Sequence, residues 1–185
     1  MDDKLFLYGN EGYIIQGSLI VFKVPIENNR IVYMKVRRIH ELDNIKRAIV
    51  FVSAEKFIDS WRTGLESYNK GCIKIIDTHD MLYKYSKHSS LVTNYFKKGE
   101  SDPVPLAEVS FAFYQECPEC NCRHVRFDDG QMRTIWLFKN GCKEFPVECP
   151  LDKGAKELYE AVGAKGTSLK TVADIVQSNN NAKFH

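Results

Sequence analysis

The sequence lacks most of the features that would take it out of the class of ordinary globular domains. No apolar run approaches the ~20 residues that a membrane-spanning helix needs. The opening stretch "MDDKLFLYGNEG" is acidic with one short apolar patch, a poor secretory or transit signal. A cytoplasmic protein without membrane insertion is therefore expected. There is no internal repeat and no low-complexity segment. Net charge is scarce too: 26 Lys and Arg against 24 Asp and Glu leave +2, which neither demands nor excludes nucleic acid. The six cysteines come without a secretory signal, which argues against a disulfide framework.

What is present fits a single α/β domain of mixed α+β character. The 185 residues are enough to bury a real core, with 44% hydrophobic and 27% charged residues. One domain is expected over 1–185, with 1–30 as an N-terminal β extension, helices toward the C-terminus and a flexible tail at 178–185. "KLFLYGNEGYIIQGSLIVFKVPIENNRIVYMKVRRI" is dense in β-branched and aromatic residues, and its Gly and Asn breaks predict three or four short strands. "IVYMKVRRI" alternates, with Val32, Met34 and Val36 on one face and Ile31, Tyr33 and Lys35 on the other. "RAIVFVS" is a continuous apolar run, expected as a buried strand. In "AEKFIDSWRTGL", Phe57, Ile58, Trp61 and Leu65 share one helical face, with Ser53 as N-cap. "CIKIID" and "THDMLYKYSKHSSLVTNYFKKG" predict a short strand and one or two helices. Pro103 and Pro105 hold an extended chain ahead of a strand over 106–114. "HVRFDD" is a second strand. The two C-terminal helices are expected in "LDKGAKELYEAVGA" and "SLKTVADIVQ", the latter capped by Thr167 or Ser168.

The chemistry concentrates in "FDDGQMRTIWLFKNGCKEFPVE". A strand that ends in glycine and opens a helix leaves main-chain N–H groups without intrahelical acceptors, and the helix dipole favours an anion there. Gly130 would let a ligand approach the backbone closely. Arg133, on the first turn, can add a forked charge-assisted contact to a phosphate. Asp128 or Asp129 is expected to cap the helix, or to hold a metal or a water beside the phosphate.

The same segment resembles the signature of the ParB/sulfiredoxin superfamily: a strand ending in a Gly-x-x-Arg box, a helix, a glycine, and an apolar-Pro-Val strand. The matching residues are Gly130, Arg133, Gly141, Phe145, Pro146 and Val147. "SDPVPLAEV" upstream is similar to the Asp-Pro-Val segment leading into the strand before the box. Within the superfamily, the Phe-x-x-Gly box, the Trp-Leu pair and "FIDSWRTG" resemble the plasmid fertility-inhibition branch, which includes oncogenic-suppression proteins. The resemblance implies a ParB/sulfiredoxin-like core and a plasmid-encoded cytoplasmic inhibitor of conjugative or T-DNA transfer. Such an inhibitor would be recruited to the inner face of the membrane at the type IV secretion channel. It also implies ATP binding with ATPase and DNase activity. Gln131 stands where sulfiredoxins carry their catalytic cysteine, so cysteine-phosphinate chemistry has no nucleophile, and no helix-turn-helix follows the box as plasmid partition would require.

On this reading Gly130, Gln131, Met132, Arg133 and Thr134 bind the phosphates of ATP. Arg133 stabilises charge on the phosphoryl oxygens, and Asp129 or Glu108 holds a divalent ion such as Mg2+ or orients water. Arg37, Arg38, Lys97, Lys98 and Arg126 are candidates for a sequence-independent DNA track. The expected partners are DNA and the coupling protein of the secretion system.

"CPECNCRH" supplies Cys117, Cys120, Cys122 and His124, a chelating spacing for zinc if Cys142 or Cys149 completes the set. Two further functions remain open at this point: a non-catalytic protein that docks on the coupling ATPase, and a zinc-stabilised DNA-binding module.

Overall fold

The computed structural model describes residues 5–8, 11–16, 19–36, 46–69, 89–113 and 123–175. Two five-stranded sheets organise them. The first contains β1 (Leu5–Tyr8), β2 (Glu11–Gln16), β3 (Leu19–Ile26), β4 (Arg30–Lys35) and the two-residue β6 (Val104–Pro105), in that spatial order. The second runs β10 (Lys170–Thr171), β5 (Arg47–Ser53), β9 (Glu144–Pro150), β7 (Ala107–Phe113), β8 (Arg123–Asp129). Four helices accompany them: α1 (Ala54–Asn69), α2 (89–96), α3 (Gln131–Lys139) and α4 (Ala155–Val162). A further helical turn occupies 172–175. The composition is the mixed α/β one expected.

Pattern explains most of this. In β4, Val32 and Met34 are buried while Ile31 is exposed, as the alternation requires. β5 is apolar on both faces because both are covered. Phe51 meets Phe22 of β3 edge-on at 5.5 Å, joining the two sheets. On the opposite face Phe57 of α1 packs edge-on against Phe145 and Phe127, and Trp61 meets Phe127 at 5.2 Å. Burying such a ring is worth about 1.5–3 kcal/mol. This aromatic cluster therefore anchors the end of β8, where the box begins. α1 also covers the free edge of β8, since Val125 N–H donates to Ser60 Oγ at 3.3 Å.

The chain passes from the first sheet to the second at Leu106, between β6 and β7. Leu106 N–H donates to Lys35 O at 2.9 Å, and Leu106 O accepts from Arg133 Nη2 at 3.2 Å. At the far end of α3, Glu27 N–H donates to Asn140 O at 2.9 Å, so the β3–β4 turn closes the helix C-terminus. The box helix is thus held at its start by the inter-sheet crossover and at its end by the β3–β4 turn of the N-terminal sheet.

The C-terminal helix differs from expectation. Residues 168–169 are not helical, Lys170–Thr171 form β10 on β5, and the helical turn starts at 172. The cap is Thr171, not Thr167 or Ser168. Asp174 N–H donates to Thr171 Oγ1 (3.0 Å), and Thr171 N–H donates to Asp174 Oδ2 (2.9 Å). The reciprocal pair wins because Thr167 Oγ1 is already donating to Ala164 O. "CIKIID" and the first part of the following segment lie outside the described residues.

Candidate functional site

β8 carries an irregularity at its end. Glu108 pairs with Asp129 but Val109 pairs with Phe127, so Asp128 is an extra residue without a partner on β7. A bulge of this kind re-aims side chains. Asp129 meets Arg133 Nη2 at 3.1 Å, and Asp128 meets Lys153 Nζ at 2.9 Å. The N-cap position of α3 is taken by neither aspartate, and both carboxylates pair with cations.

The N-cap is Gly130, left-handed at φ 89°. A side chain there would place its Cβ 2.6 Å from Ala107 Cα and 2.8 Å from Arg133 Nη2. The glycine is therefore required by the protein's own β7 backbone, and it also lines the cavity at the helix start. No side chain caps the helix. The first intrahelical bond is Thr134 N–H to Gly130 O, 3.1 Å. The amides of Gln131 and Met132 have no acceptor among the described residues. They open on a cavity of about 420 Å³ lined by Asp128, Asp129, Gly130, Gln131, Met132 and Arg133, with Leu91, Val92 and Tyr95 of α2 as its other wall.

The expected site residues divide by position. Gly130, Gln131, Met132, Arg133 and Asp129 come together around this cavity. Thr134 is buried and turned inward, its hydroxyl donating to Gly130 O at 3.3 Å. Glu108 stands on β7 between Asp129 and the buried Glu148 of β9, and is not part of the cavity wall. Lys97 is exposed. Lys98 and Lys35 share Asp102, at 2.7 and 3.2 Å, and these contacts hold the Asp102 carboxyl below its ordinary range. Arg126 is exposed on β8 beside a different cavity. Arg37 and Arg38 lie outside the described residues, as do Cys117, Cys120 and Cys122. His124 is buried in β8, and burial holds its imidazole below the usual pKa. Among the described residues no group of three or more His, Cys, Asp or Glu could hold a metal ion. Cys142 and Cys149 are buried, and burial pushes the Cys149 thiol up to about 12. No helix among the described residues is long and apolar enough to cross a membrane.

Sequence reasoning missed α2 as a wall of the site. Phe96 stacks on Trp136 at 4.2 Å, and Trp136 Nε1–H donates to Thr93 Oγ1 at 2.9 Å. The buried face of α2 thereby docks on α3, leaving Leu91 and Tyr95 exposed at the cavity rim. The i, i+4 spacing of Val92 and Phe96 was the available signal.

Residues 49–163 match the model of the plasmid fertility inhibition factor family. The chain is 29% identical over 147 residues to Protein osa of Shigella flexneri, covering 78% of this chain and 69% of that protein. Its fold is similar to the crystal structure of the Oncogenic Suppression Activity Protein, a plasmid fertility inhibition factor, in its gold(I) cyanide derivative. That match has a TM-score of 0.72 at 21% identity, over 95% of this chain and 86% of the other. The matched span runs from β5 to the end of α4 and includes the whole box. The chain belongs to the plasmid fertility inhibition factor family.

Proposed function

We propose that this fertility inhibition factor acts on DNA at the coupling protein of a type IV secretion system, with ATP hydrolysis and DNase activity at the Gly130 box. One observation carries the reading: the uncapped N-terminus of α3 opens on a cavity bounded by an arginine and two carboxylates.

The amides of Gln131 and Met132 would hold a phosphoryl oxygen, assisted by the helix dipole. Arg133 sits one turn in, fixed by Asp129 and Leu106 O, so its guanidinium is oriented before a ligand arrives. A preoriented cation stabilises charge that develops during phosphoryl transfer without a reorganisation cost. Asp128 and Asp129 line the same cavity and fit a Mg2+ of the kind bound through one or two carboxylates plus substrate phosphates. Such an ion would supply charge neutralisation on the phosphates. Beside Arg133 a second recess of about 340 Å³, lined by Tyr95, Pro103, Val104 and Pro105, adjoins the cavity and offers an apolar wall to a base.

A second reading has its own support. Gly130 is fixed by Ala107, and Arg133 ties α3 to the inter-sheet crossover at Leu106, so the box also has a purely structural role. On that reading the protein docks on the coupling ATPase without catalysis. ATP hydrolysis, nuclease activity and inhibition of conjugation, each measured for wild type and Arg133→Ala, separate the two. Loss of hydrolysis and cleavage together with inhibition supports the catalytic reading. Inhibition that survives the loss of both supports docking, and hydrolysis that survives the substitution removes Arg133 from catalysis.

A further inference from the structure

We propose that Tyr95 is the base-stacking residue of the box site, and that the site takes a nucleoside triphosphate without selecting one base over another. The inference rests on the reading that the α3 helix start holds nucleotide phosphates.

The cavity at the helix start, about 420 Å³, and the recess beside it, about 340 Å³, have two lining residues in common, Tyr95 and Arg133. A ligand with its phosphates at Gln131 and Met132 reaches the recess past these two side chains. The two halves differ in chemistry. Asp128, Asp129 and Arg133 line the first, while Pro103, Val104 and Pro105 wall the second. A nucleoside triphosphate has the same division, with charge at one end and a flat ring at the other.

Tyr95 is 47% exposed, although Val92 and Phe96 of the same helix are buried. Its helix is fixed beneath it, because Phe96 stacks on Trp136 at 4.2 Å and Trp136 Nε1–H donates to Thr93 Oγ1 at 2.9 Å. Lys98 Nζ stands over one face of the Tyr95 ring, 5.4 Å from its centroid, and leaves the other face for a base. The ring is thus held before a ligand arrives, and little side-chain freedom is lost on binding.

The recess is poor in groups that read a base edge. Its polar side chains other than Arg133 and Tyr95 are Lys35 and Asp102, and these are tied together. Lys35 Nζ meets Asp102 Oδ1 at 3.2 Å, and Lys98 Nζ meets Oδ2 at 2.7 Å. Pro103 and Pro105 have no N–H to offer. The next amide, Leu106 N–H, already donates to Lys35 O. Strong selection of one ligand over its analogue needs hydrogen bonds built to the group that differs. Stacking tolerates every base, since each has a π-face. The site therefore distinguishes a nucleotide from an inorganic polyphosphate, and it does so through Tyr95.

Isothermal titration of the full-length protein tests this, with ATP, GTP, CTP and inorganic tripolyphosphate, each with Mg2+. The proteins are wild type, Tyr95→Ala and Tyr95→Phe, each first shown to be folded by circular dichroism. Tyr95→Ala should weaken ATP binding roughly ten- to hundredfold and leave tripolyphosphate within about twofold of wild type, as loss of one base–aromatic stack requires. Tyr95→Phe keeps the ring and should hold ATP within about twofold. The three nucleotides should bind wild type within about tenfold of one another. Equal weakening of ATP and tripolyphosphate in Tyr95→Ala, unchanged ATP binding in that variant, or a Tyr95→Phe protein as weak as Tyr95→Ala overturns the stacking role. Discrimination among the bases beyond about tenfold overturns the tolerance that stacking implies. Tripolyphosphate that binds wild type as tightly as ATP leaves the phosphate seat standing and overturns this inference alone. Wild type that binds neither overturns the underlying reading as well.

Discussion

Two helices in this protein begin the same way and are dressed differently. α3 starts at Gly130 and α4 at Gly154, both left-handed, both without a side-chain cap. Each glycine is pressed against the same strand: Gly130 against Ala107, Gly154 against the carbonyl of Phe111. At α3 the surrounding side chains are one arginine and two carboxylates; at α4 they are three cations and two carboxylates. The backbone makes both helix starts receptive to anions. The side chains around the two starts differ in their balance of charge. A glycine before a helix is thus a packing device first, and what it binds is set by residues distant in sequence.

The largest effect should come from breaking the shared backbone device. Gly130→Ala places a Cβ 2.6 Å from Ala107 Cα and forces alanine into left-handed backbone. Strain and overpacking together should cost about 2–4 kcal/mol, a large fraction of the ~5–15 kcal/mol that holds a domain folded. Chemical denaturation checks this, and a cost under ~0.5 kcal/mol would show that the close approach is not needed. Gly154→Ala should be comparable.

Arg133→Ala comes next. It loses the bonds to Leu106 O and Asp129 and should cost about 1–2 kcal/mol in stability in addition to its effect on phosphate binding. Arg126→Gln sharpens the contrast, because an exposed side chain without partners among the described residues should change stability by no more than ~0.5 kcal/mol. Equal denaturation costs for the two arginines would erase the distinction between a latch and a free cation.

Smaller effects read the neighbourhood of α4. Cys149 Sγ lies under the turn before α4, 3.8 Å from Lys153 O, and its thiol is pushed up to about 12. At pH 8 only about one thiol in ten thousand would be ionised, so native Cys149 should resist a thiol reagent. Gly154→Ala should accelerate its labelling by loosening that turn. Rapid labelling of wild type would contradict the burial. The smallest effect concerns His124, whose folded pKa lies below its ordinary value of 6.5 because burial disfavours the charged ring. The unfolded chain then binds the extra proton, so this contribution to stability is present above about pH 6.5 and is lost as pH falls below it. His124→Gln should flatten the difference in melting temperature between pH 7.5 and 5.5.

Much of the fold was legible in the sequence because it depends on local pattern. The apolar run at 47–53, the alternation in β4, and the Phe57–Trp61 face of α1 each became the element they predicted. The box was legible as strand, glycine and helix. What was not legible depends on partners far along the chain. Gly130 owes its conformation to Ala107, and the extra residue Asp128 is visible only against the register of β7. β10 is two residues long and exists because β5 has a free edge there. The recess beside Arg133 was missed for the same reason: Lys35, Tyr95 and Pro105 carry no shared motif and meet only after β4, α2 and β6 are assembled.

We propose that the α3 helix start binds nucleotide phosphates. A titration of wild type and Arg133→Ala with ATP and Mg2+, both proteins first shown to be folded by circular dichroism, tests it most directly. Saturable binding in wild type, accompanied by shifts of the Gln131 and Met132 amides and weakened at least about tenfold by the substitution, is the predicted result. Binding of equal strength in both proteins, or none in wild type, would contradict it.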